Sequence, residues 1–348
     1  MNARFVLDKK KVLEQYTNLK ALGLKVSYSF KTNRDIGKVL EELTDSEFSI
    51  HLTDEVDMIT EKGKIWFFSQ AWNQEDIRNL IERGVRNFVV DNGKDLMELL
   101  DFIERNKIKI NLLLRMKFQE HRVGSGKYFV YGMPSKKVNE IISDIKDNEL
   151  IGLLGVHVHR KSQNTSEWNI KEELRDSLSE ESLKRINIIN LGGGLPVRYK
   201  SYVLEVMPYI FEKIKEVTEW LKERNVEVYI EPGRFIAGPA VKLETEIIQV
   251  YDGVVVVNAS LYNCALDTHL TETKMLVECE LDDEGEEEEG AYYLIKGNSP
   301  TRDDIFRYKV KLRKEMVGVG EKIVFLNAGA YNYTTDFCGF KKLETVLI

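Results

Sequence analysis

The chain has 348 residues, of which 43% are hydrophobic, and a net charge of -7 with acidic and basic residues mixed throughout. That length accommodates a large domain and a smaller one, while the mixed charge favours solubility and argues against nucleic acid as a partner. The longest apolar runs, such as residues 253–259, are far too short to span a bilayer, so we expect no membrane segment.

The cysteines and the N-terminus narrow the class of protein further. Three cysteines, Cys264, Cys279 and Cys338, are too few and too scattered for a disulfide framework or a zinc site. The first five residues show no signal-peptide pattern. We therefore expect a reduced, cytoplasmic protein without a bound metal.

Over the first two thirds of the chain, short apolar runs alternate with amphipathic helical patterns. The runs predict eight strands, at residues 26–30, 48–51, 65–68, 87–90, 110–115, 152–159, 186–191 and 226–230. Helices are predicted between them, at residues 35–43, 73–83, 93–104, 134–145, 171–183 and 201–224. Strand–helix–strand repeats give parallel strands with right-handed crossovers. Eight such units close into a barrel, so we expect an α/β protein with a (β/α)8 barrel; the alternative is an open doubly wound sheet.

After about residue 240 the helical periodicity almost disappears. Strands are predicted at residues 240–251, 253–258, 274–280, 291–296, 322–326 and 342–348, with residues 5–7 contributing one more. This pattern predicts a mostly antiparallel β domain, in which the Glu- and Gly-rich residues 282–290 form a solvated hairpin loop. We therefore divide the chain into a barrel of residues 20–240 and a β domain of residues 1–19 and 241–348.

Lys31 directly follows the first predicted barrel strand. A lysine in that position often does no more than begin a polar loop. In a barrel, however, side chains at the carboxyl ends of the strands converge on the active site. A partly desolvated lysine there has a lowered pKa and can form a Schiff base.

Two histidines and a glycine run follow the sixth and seventh predicted strands. His157 and His159 alternate along a strand and so share a face; they are either a buried hydrogen-bonded pair or, since no carboxylate ligands accompany them, a weak metal candidate. Gly192, Gly193 and Gly194 expose three backbone N–H groups without Cβ obstruction, a geometry that suits a phosphate.

Glu231-Pro232-Gly233-Arg234 follows the eighth predicted strand. Glu231 and Arg234 form either a surface ion pair at a turn or part of a site at the barrel end that also carries Lys31. Arg234 suits a phosphate, and Glu231 suits a protonated ring nitrogen. With Lys31 and an imidazole, the set matches what pyridoxal phosphate needs.

The ordered motifs resemble the fold-type III pyridoxal-phosphate decarboxylases, the family of ornithine, diaminopimelate, arginine and carboxynorspermidine decarboxylases, whose barrel is of the alanine-racemase type. The resemblance extends from Lys31 to the segment Phe337-Cys338-Gly339-Phe340. It implies that Lys31 carries the cofactor, that His159 stacks on the ring and that Glu231 pairs with the ring nitrogen. Further cofactor residues implied by it are Arg115, Ser162, Gly192, Gly193, Gly194, Gly233, Arg234 and Tyr331.

The chain departs from the family in the loop that a second subunit supplies to the active site. The family reads Gly-x-x-Cys-Asp/Glu-x-x-Asp there, with the cysteine as proton donor, whereas residues 297–304 carry Pro300 at the cysteine position and Thr301 at that of the acid. Arg302 is an added cation, and we hypothesise that it binds an anionic substrate tail; alternatively it only pairs with Asp303 or Asp304. These three residues and Asp267 are the candidate substrate contacts.

The resemblance implies a homodimeric amino-acid decarboxylase with two shared active sites and a small-molecule substrate. Glu231 favours decarboxylation over racemisation, because a carboxylate at the ring nitrogen gives a stronger electron sink than the arginine of alanine racemases. A racemase or epimerase, and a catalytically inactive regulatory protein, are the alternatives. The intact Lys31, Glu231, Arg234 and Tyr331 count against an inactive protein.

Overall fold

The computed structural model describes residues 2–118, 131–201, 205–282, 290–333, 339 and 341–348. The chain begins with strand β1 (Arg4–Leu7) and helix α1 (Lys9–Ala21). The carboxylate of Asp8 caps α1 by accepting hydrogen bonds from the N–H groups of Lys10 and Lys11. This helix is absent from the predicted elements and packs against barrel elements described below.

The next nine strands are parallel to their neighbours, and eight of them close into a barrel. They are β2 (Lys25–Ser29), β3 (Glu47–Ile50), β4 (Ile65–Ser69), β5 (Asn87–Val90), β6 (Ile110–Lys117), β7 (Met133–Pro134), β8 (Ile151–Val158), β9 (Ile188–Asn190) and β10 (Glu227–Ile230). Their order is β5-β4-β3-β2-β10-β9-β8-β6, and β5 pairs with β6 to close the ring. The two-residue β7 pairs with β6 at the rim. The predicted barrel is confirmed, and the open sheet is wrong.

Helices cover the outside of the barrel. They are α2 (Arg34–Leu43), α3 (Gln74–Glu82), α4 (Gly93–Asn106), α5 (Ser135–Ile145), α6 (Ile170–Ser177), α7 (Glu180–Leu183), α8 (Met207–Lys222) and α9 (Arg234–Ala237). Asn33, Asn73 and Asn92 cap three of them, each accepting backbone N–H groups of the first turn. The single helix predicted at residues 171–183 is two helices, because Leu178 is extended and Ser179 caps a new start.

A layer of side chains fills the barrel below its carboxyl end. Trp66 and Tyr229 meet edge-to-face with ring centroids 6.0 Å apart, although their strands, β4 and β10, are not neighbours in the sheet. The contact therefore crosses the barrel interior, where Val89, Leu113 and Ile188 complete the layer. Because side chains alternate along a strand, residues two positions further on face the interior at the open end.

The second sheet is mixed and mostly antiparallel, as predicted. It contains β1, β11 (Val241–Tyr251), β12 (Val254–Val257), β13 (Leu276–Val277), β14 (Gly290–Lys296), β15 (Ile305–Arg313), β16 (Lys322–Leu326) and β17 (Glu344–Leu347), while α10 (Leu261–Cys264) and α11 (Leu266–Thr271) lie between β12 and β13. The pairs β1–β17 and β12–β14 are parallel. The predicted strand at residues 274–280 shrinks to β13, since Cys279 adopts a positive φ of 62°. Of the predicted hairpin loop at 282–290, residues 283–289 lie outside the described residues.

Candidate active site

A cavity of about 790 Å³ opens at the carboxyl ends of the barrel strands. Its walls contain every residue predicted to bind a cofactor except Gly192. The predicted residues that line it are Lys31, Arg115, His159, Ser162, Gly193, Gly194, Glu231, Gly233, Arg234 and Tyr331. The barrel thus brings together residues that are up to 300 positions apart in the sequence.

Lys31 lies in the single helical turn Phe30–Thr32 that follows β2. Its side chain is accessible from the cavity, yet its surroundings desolvate the amine and lower its pKa below the ordinary 10.5. The charge of Arg115 lowers this pKa further, and that of Glu231 opposes the shift. The result is a larger fraction of neutral, nucleophilic amine at a given pH.

Glu231, one residue after β10, is buried and held from three sides. Its Oε1 accepts hydrogen bonds from Ser49 Oγ and Asn190 Nδ2, both at 2.9 Å, and its Oε2 lies 3.1 Å from His157 Nε2. Burial alone would raise the pKa of Glu231, but the charge and hydrogen bond of His157, with help from His51 and Ser49, outweigh it and lower the pKa to about 2. Glu231 is therefore a carboxylate.

His159 lies just beyond the end of β8 and is neutral. Burial, then the neighbouring His157 and Arg115, lower its pKa to about 4. Its Nδ1 accepts a hydrogen bond from the N–H of Gly193 at 3.2 Å, so the ring proton resides on Nε2. The imidazole is thus attached to the glycine turn and presents a flat uncharged ring to the cavity.

The glycine turn after β9 requires glycine at two of its positions. Gly192 and Gly194 have positive φ values of 69° and 108°, and a Cβ on them would lie 2.3 Å from Val158 O and 2.4 Å from Lys161 O. The expectation of three free backbone donors is wrong, because Asn190 Oδ1 accepts from Gly192 N at 2.9 Å and His159 from Gly193 N. The turn instead brings the backbone close to the cavity.

Arg234 begins α9 and is buried beside Tyr331 of the β domain. Its Nη1 and Nη2 donate to the two carboxylate oxygens of Asp267 at 2.5 and 2.6 Å, and Tyr199 Oη accepts from Nη1 at 3.4 Å. The Tyr331 ring lies 4.9 Å from the guanidinium carbon. Asp267 therefore fixes the Nη1–Nη2 edge of the guanidinium, while its Nε is buried and has no partner among the described residues.

The four candidate substrate residues do not line this cavity. Asp267 is engaged with Arg234, and Asp304 is buried, accepting hydrogen bonds from Leu261 N at 2.7 Å and Ser299 N at 3.0 Å. Arg302 and Asp303 are exposed. The alternative that Arg302 pairs with Asp303 or Asp304 is wrong, since the described residues include no ion-pair partner for it.

Several residues of the site were absent from the predicted set. His51, after β3, stacks on Phe68 with ring centroids 4.6 Å apart, and burial and Lys31 lower its pKa to about 3. Ser49 and Asn190 hold Glu231, as described above. The sequence signal for both was a polar residue near the carboxyl end of an otherwise apolar strand, facing the barrel interior.

Other expectations concern cysteines, metals and membranes. Cys264 is buried, with its Sγ 3.0 Å from Ser260 O, and Cys279 is exposed; Cys338, with Phe337 and Phe340, lies outside the described residues. Within the described ranges, no cluster of three or more His, Cys, Asp or Glu side chains is placed to hold a metal. None of the helices in the part of the chain that is described has both the length and the apolar composition needed to cross a membrane.

Comparison with known proteins identifies the family. Residues 9–238 match the family described as "Pyridoxal-dependent decarboxylase, pyridoxal binding domain". Diaminopimelate decarboxylase from Bacillus subtilis (strain 168) is 28% identical over 200 residues, which are 51% of this chain and 45% of that protein. The chain thus spans about half the length of the curated relatives it matches.

Solved structures share the fold over the whole chain. Diaminopimelate decarboxylase from Helicobacter pylori, complexed with L-lysine, superimposes with a TM-score of 0.82 at 18% identity, covering 100% of this chain and 92% of that one. Lysine/ornithine decarboxylase from Vibrio vulnificus, complexed with cadaverine, gives 0.78 at 21% identity, covering 99% and 94%. With the match over residues 9–238, the chain belongs to the pyridoxal-dependent decarboxylases.

Proposed function

We propose that this protein is a pyridoxal-phosphate-dependent amino-acid decarboxylase that carries its cofactor on Lys31. One observation carries the proposal: an accessible amine with a lowered pKa and a buried, ionised glutamate face the same cavity at the open end of the barrel. Membership of the family makes pyridoxal phosphate the group that such a pair serves.

The cavity fits that cofactor in shape and in donors. Gly193 and Gly194 line the cavity, so the backbone of the glycine turn lies against the space where a phosphate would sit. Arg234 supplies a buried guanidinium whose Nε is unpaired among the described residues. Glu231 supplies the acceptor for a protonated ring nitrogen.

When bound, pyridoxal phosphate supplies an electron sink for the carbanion left by departing carbon dioxide. The chain's own residues hold and orient it. Lys31 would provide the covalent attachment, Glu231 would keep a proton at the ring nitrogen, and His159 would supply a flat uncharged ring for the cofactor to pack on. Arg115 would support this network. The residues that would hold the phosphate end are Ser162, Gly193, Gly194, Gly233, Arg234 and Tyr331.

We further propose that the substrate carries an anionic tail bound by Arg302. Arg302 is exposed and has no ion-pair partner among the described residues, so its bidentate edge is open to a carboxylate. The relatives matched in sequence are diaminopimelate decarboxylases, whose named substrate bears a distal carboxylate.

We also propose a cytoplasmic homodimer with two shared sites. The loop 297–304 does not reach the cavity of its own chain, which supports its placement in the cavity of a second copy, with Asp303 beside Arg302. The barrel of residues 20–240 would then face the β domain of the partner.

The test uses purified protein loaded with pyridoxal phosphate. We expect an absorbance band of lysine-bound cofactor that borohydride fixes to the protein, and carbon dioxide release from amino acids with a distal carboxylate in preference to basic ones. Cofactor binding without carbon dioxide release from any substrate would contradict a decarboxylase and favour the inactive regulatory protein. Exchange of the α-hydrogen in heavy water without carbon dioxide release would instead indicate a racemase.

A further inference from the structure

His157 is a buried histidine that the proposed function leaves without a role. It lies on β8, only 1% exposed, in register with Arg115 of β6 and Asn190 of β9. These three side chains therefore occupy one level of the barrel, just above the filling layer. His157 lines the cavity on that level.

The two carboxylate oxygens of Glu231 accept different numbers of hydrogen bonds. A carboxylate has about four acceptor sites, two on each oxygen. Ser49 and Asn190 fill both sites on Oε1, whereas Oε2 receives only the contact from His157 Nε2 at 3.1 Å. The one acceptor site left on Glu231 is therefore on the oxygen that His157 holds.

The donor in the contact between His157 and Glu231 is the histidine. A carboxylate only accepts hydrogen bonds, so His157 must donate from Nε2. Its Nδ1 has no partner among the described residues. His157 therefore commits its Nε2–H to Glu231.

The imidazole of His157 is also held by aromatic packing. Phe68 meets the His157 ring edge-to-face at 5.1 Å with an interplanar angle of 82°, and His51 stacks on Phe68 in turn. Aromatic pairs of this geometry favour one orientation beyond simple burial. The Nε2–H therefore has little freedom to turn away from Glu231.

We propose that His157 is a positioning residue, whose Nε2–H orients Oε2 of Glu231 as the acceptor for the cofactor's ring nitrogen and so controls the proton on that nitrogen. The inference rests on the proposed function. Without this donor, the buried carboxylate loses stabilisation of its charged form and becomes a stronger base. The proton then moves from the ring nitrogen to Glu231, and the electron sink weakens.

The test compares donor and non-donor replacements. His157→Gln places an amide N–H near the position of imidazole Nε2, while His157→Asn is equally polar but too short, and His157→Phe keeps the ring against Phe68 without a donor. Tyr229→Phe is the matched control, because it removes a partly buried hydrogen bond to Glu47 that does not involve Glu231.

The readouts are the nitrogen-15 NMR shift of ring-labelled pyridoxal phosphate bound to each protein and the split between kcat and KM. We expect His157→Phe and His157→Asn to move the shift toward the unprotonated ring and to lower kcat about 10- to 100-fold at similar KM, the cost typical of supporting residues behind a reactive group. His157→Gln and Tyr229→Phe should keep the shift of the unaltered protein.

Equal shifts for the Gln and Asn replacements would overturn the role of His157, even if His157→Phe failed to fold. A folded His157→Phe protein with an unchanged shift would do the same. Failure of the unaltered protein to bind pyridoxal phosphate would contradict the proposed function instead, so the two failures are distinguishable.

Discussion

The turns at the open end of the barrel and the loop 297–304 are both polar segments that follow strands, but their charged side chains point in different directions. At the barrel mouth, Lys31 and Glu231 come from different strand ends and face one cavity. In the loop, Asp304 turns back onto the backbone of Leu261 and Ser299, and Arg302 points outward. In the proposed dimer, one chain would hold the cofactor half of a site, while its own loop 297–304 would serve the site of its partner.

The largest effect should come from removing the amine. Lys31→Ala should abolish borohydride-fixable cofactor and lower kcat/KM by roughly 10³-fold or more, since nothing replaces the covalent attachment. Lys161→Ala is the control, because that amine pairs with Glu167 at 3.0 Å and lies outside the cavity wall. Equal losses of kcat/KM in Lys31→Ala and Lys161→Ala would show that Lys31 has no special role in the cavity.

A smaller effect is expected at the loop. Arg302→Ala should raise KM for a substrate with a distal carboxylate about 10- to 100-fold, the loss of a charge-assisted hydrogen-bond pair, and should leave cofactor binding intact. Arg313→Ala, in the strand β15 beyond the loop, controls for loss of a cation. A substrate-independent change in KM would argue against a role in binding the tail.

Mixing the Lys31→Ala and Arg302→Ala proteins tests whether the cofactor residues and the loop 297–304 of one active site come from different chains. Each variant is defective alone, but in a shared-site dimer a heterodimer has one site with both Lys31 and Arg302. Random pairing should then restore roughly a quarter of the sites. Activity no greater than the sum of the separate variants would show that each chain uses its own loop.

A modest effect on cofactor affinity is expected from loosening the guanidinium of Arg234, which Asp267 holds. Asp267→Asn keeps the shape but removes the charge that holds Arg234, so the affinity for pyridoxal phosphate, measured by absorbance titration, should fall about 5- to 10-fold. Glu280→Gln is the control, because it weakens a similar buried pair with Arg307 that is not part of the cavity wall. An unchanged cofactor affinity would leave Asp267 with a structural role only.

The smallest effect is a shift in pH dependence. The neutral form of Lys31 is the nucleophile, so cofactor capture should rise with pH and level off above the pKa of this lysine. Because desolvation and Arg115 lower that pKa, the midpoint should lie below 10.5. Capture rates measured by borohydride fixation across pH check this, and a midpoint at or above 10.5 would contradict the desolvated environment.

The barrel was predictable because its strands are short apolar runs between polar turns, and its charged site residues directly follow those runs. The strand β15 was missed although apolar and charged residues alternate over residues 306–312; within it, Lys309 adopts a positive φ of 51°. Helix α1 was missed because only Val12, Tyr16 and Leu19 are buried in it.

Within the site, sequence reasoning found charged residues and missed small polar ones. Glu231 is conspicuous in a motif, whereas Ser49 and Asn190 are ordinary inside a strand, and only the closed barrel shows that both point to one carboxylate oxygen. The same limit applies to His157, whose partner follows it by 74 residues. Contacts across a barrel depend on register, which local patterns do not specify.

The pairing of β1 has a consequence for how the protein is made. This strand pairs with β11 and β17, so Phe5 and Leu7 are buried only when residues beyond 240 are present. At a synthesis rate of about 5–20 residues per second, β1 waits on the order of tens of seconds on the ribosome for its partners. During translation the emerging barrel therefore carries an unpaired apolar strand at its start, and a nascent chain arrested before β11 is where a chaperone would be needed most.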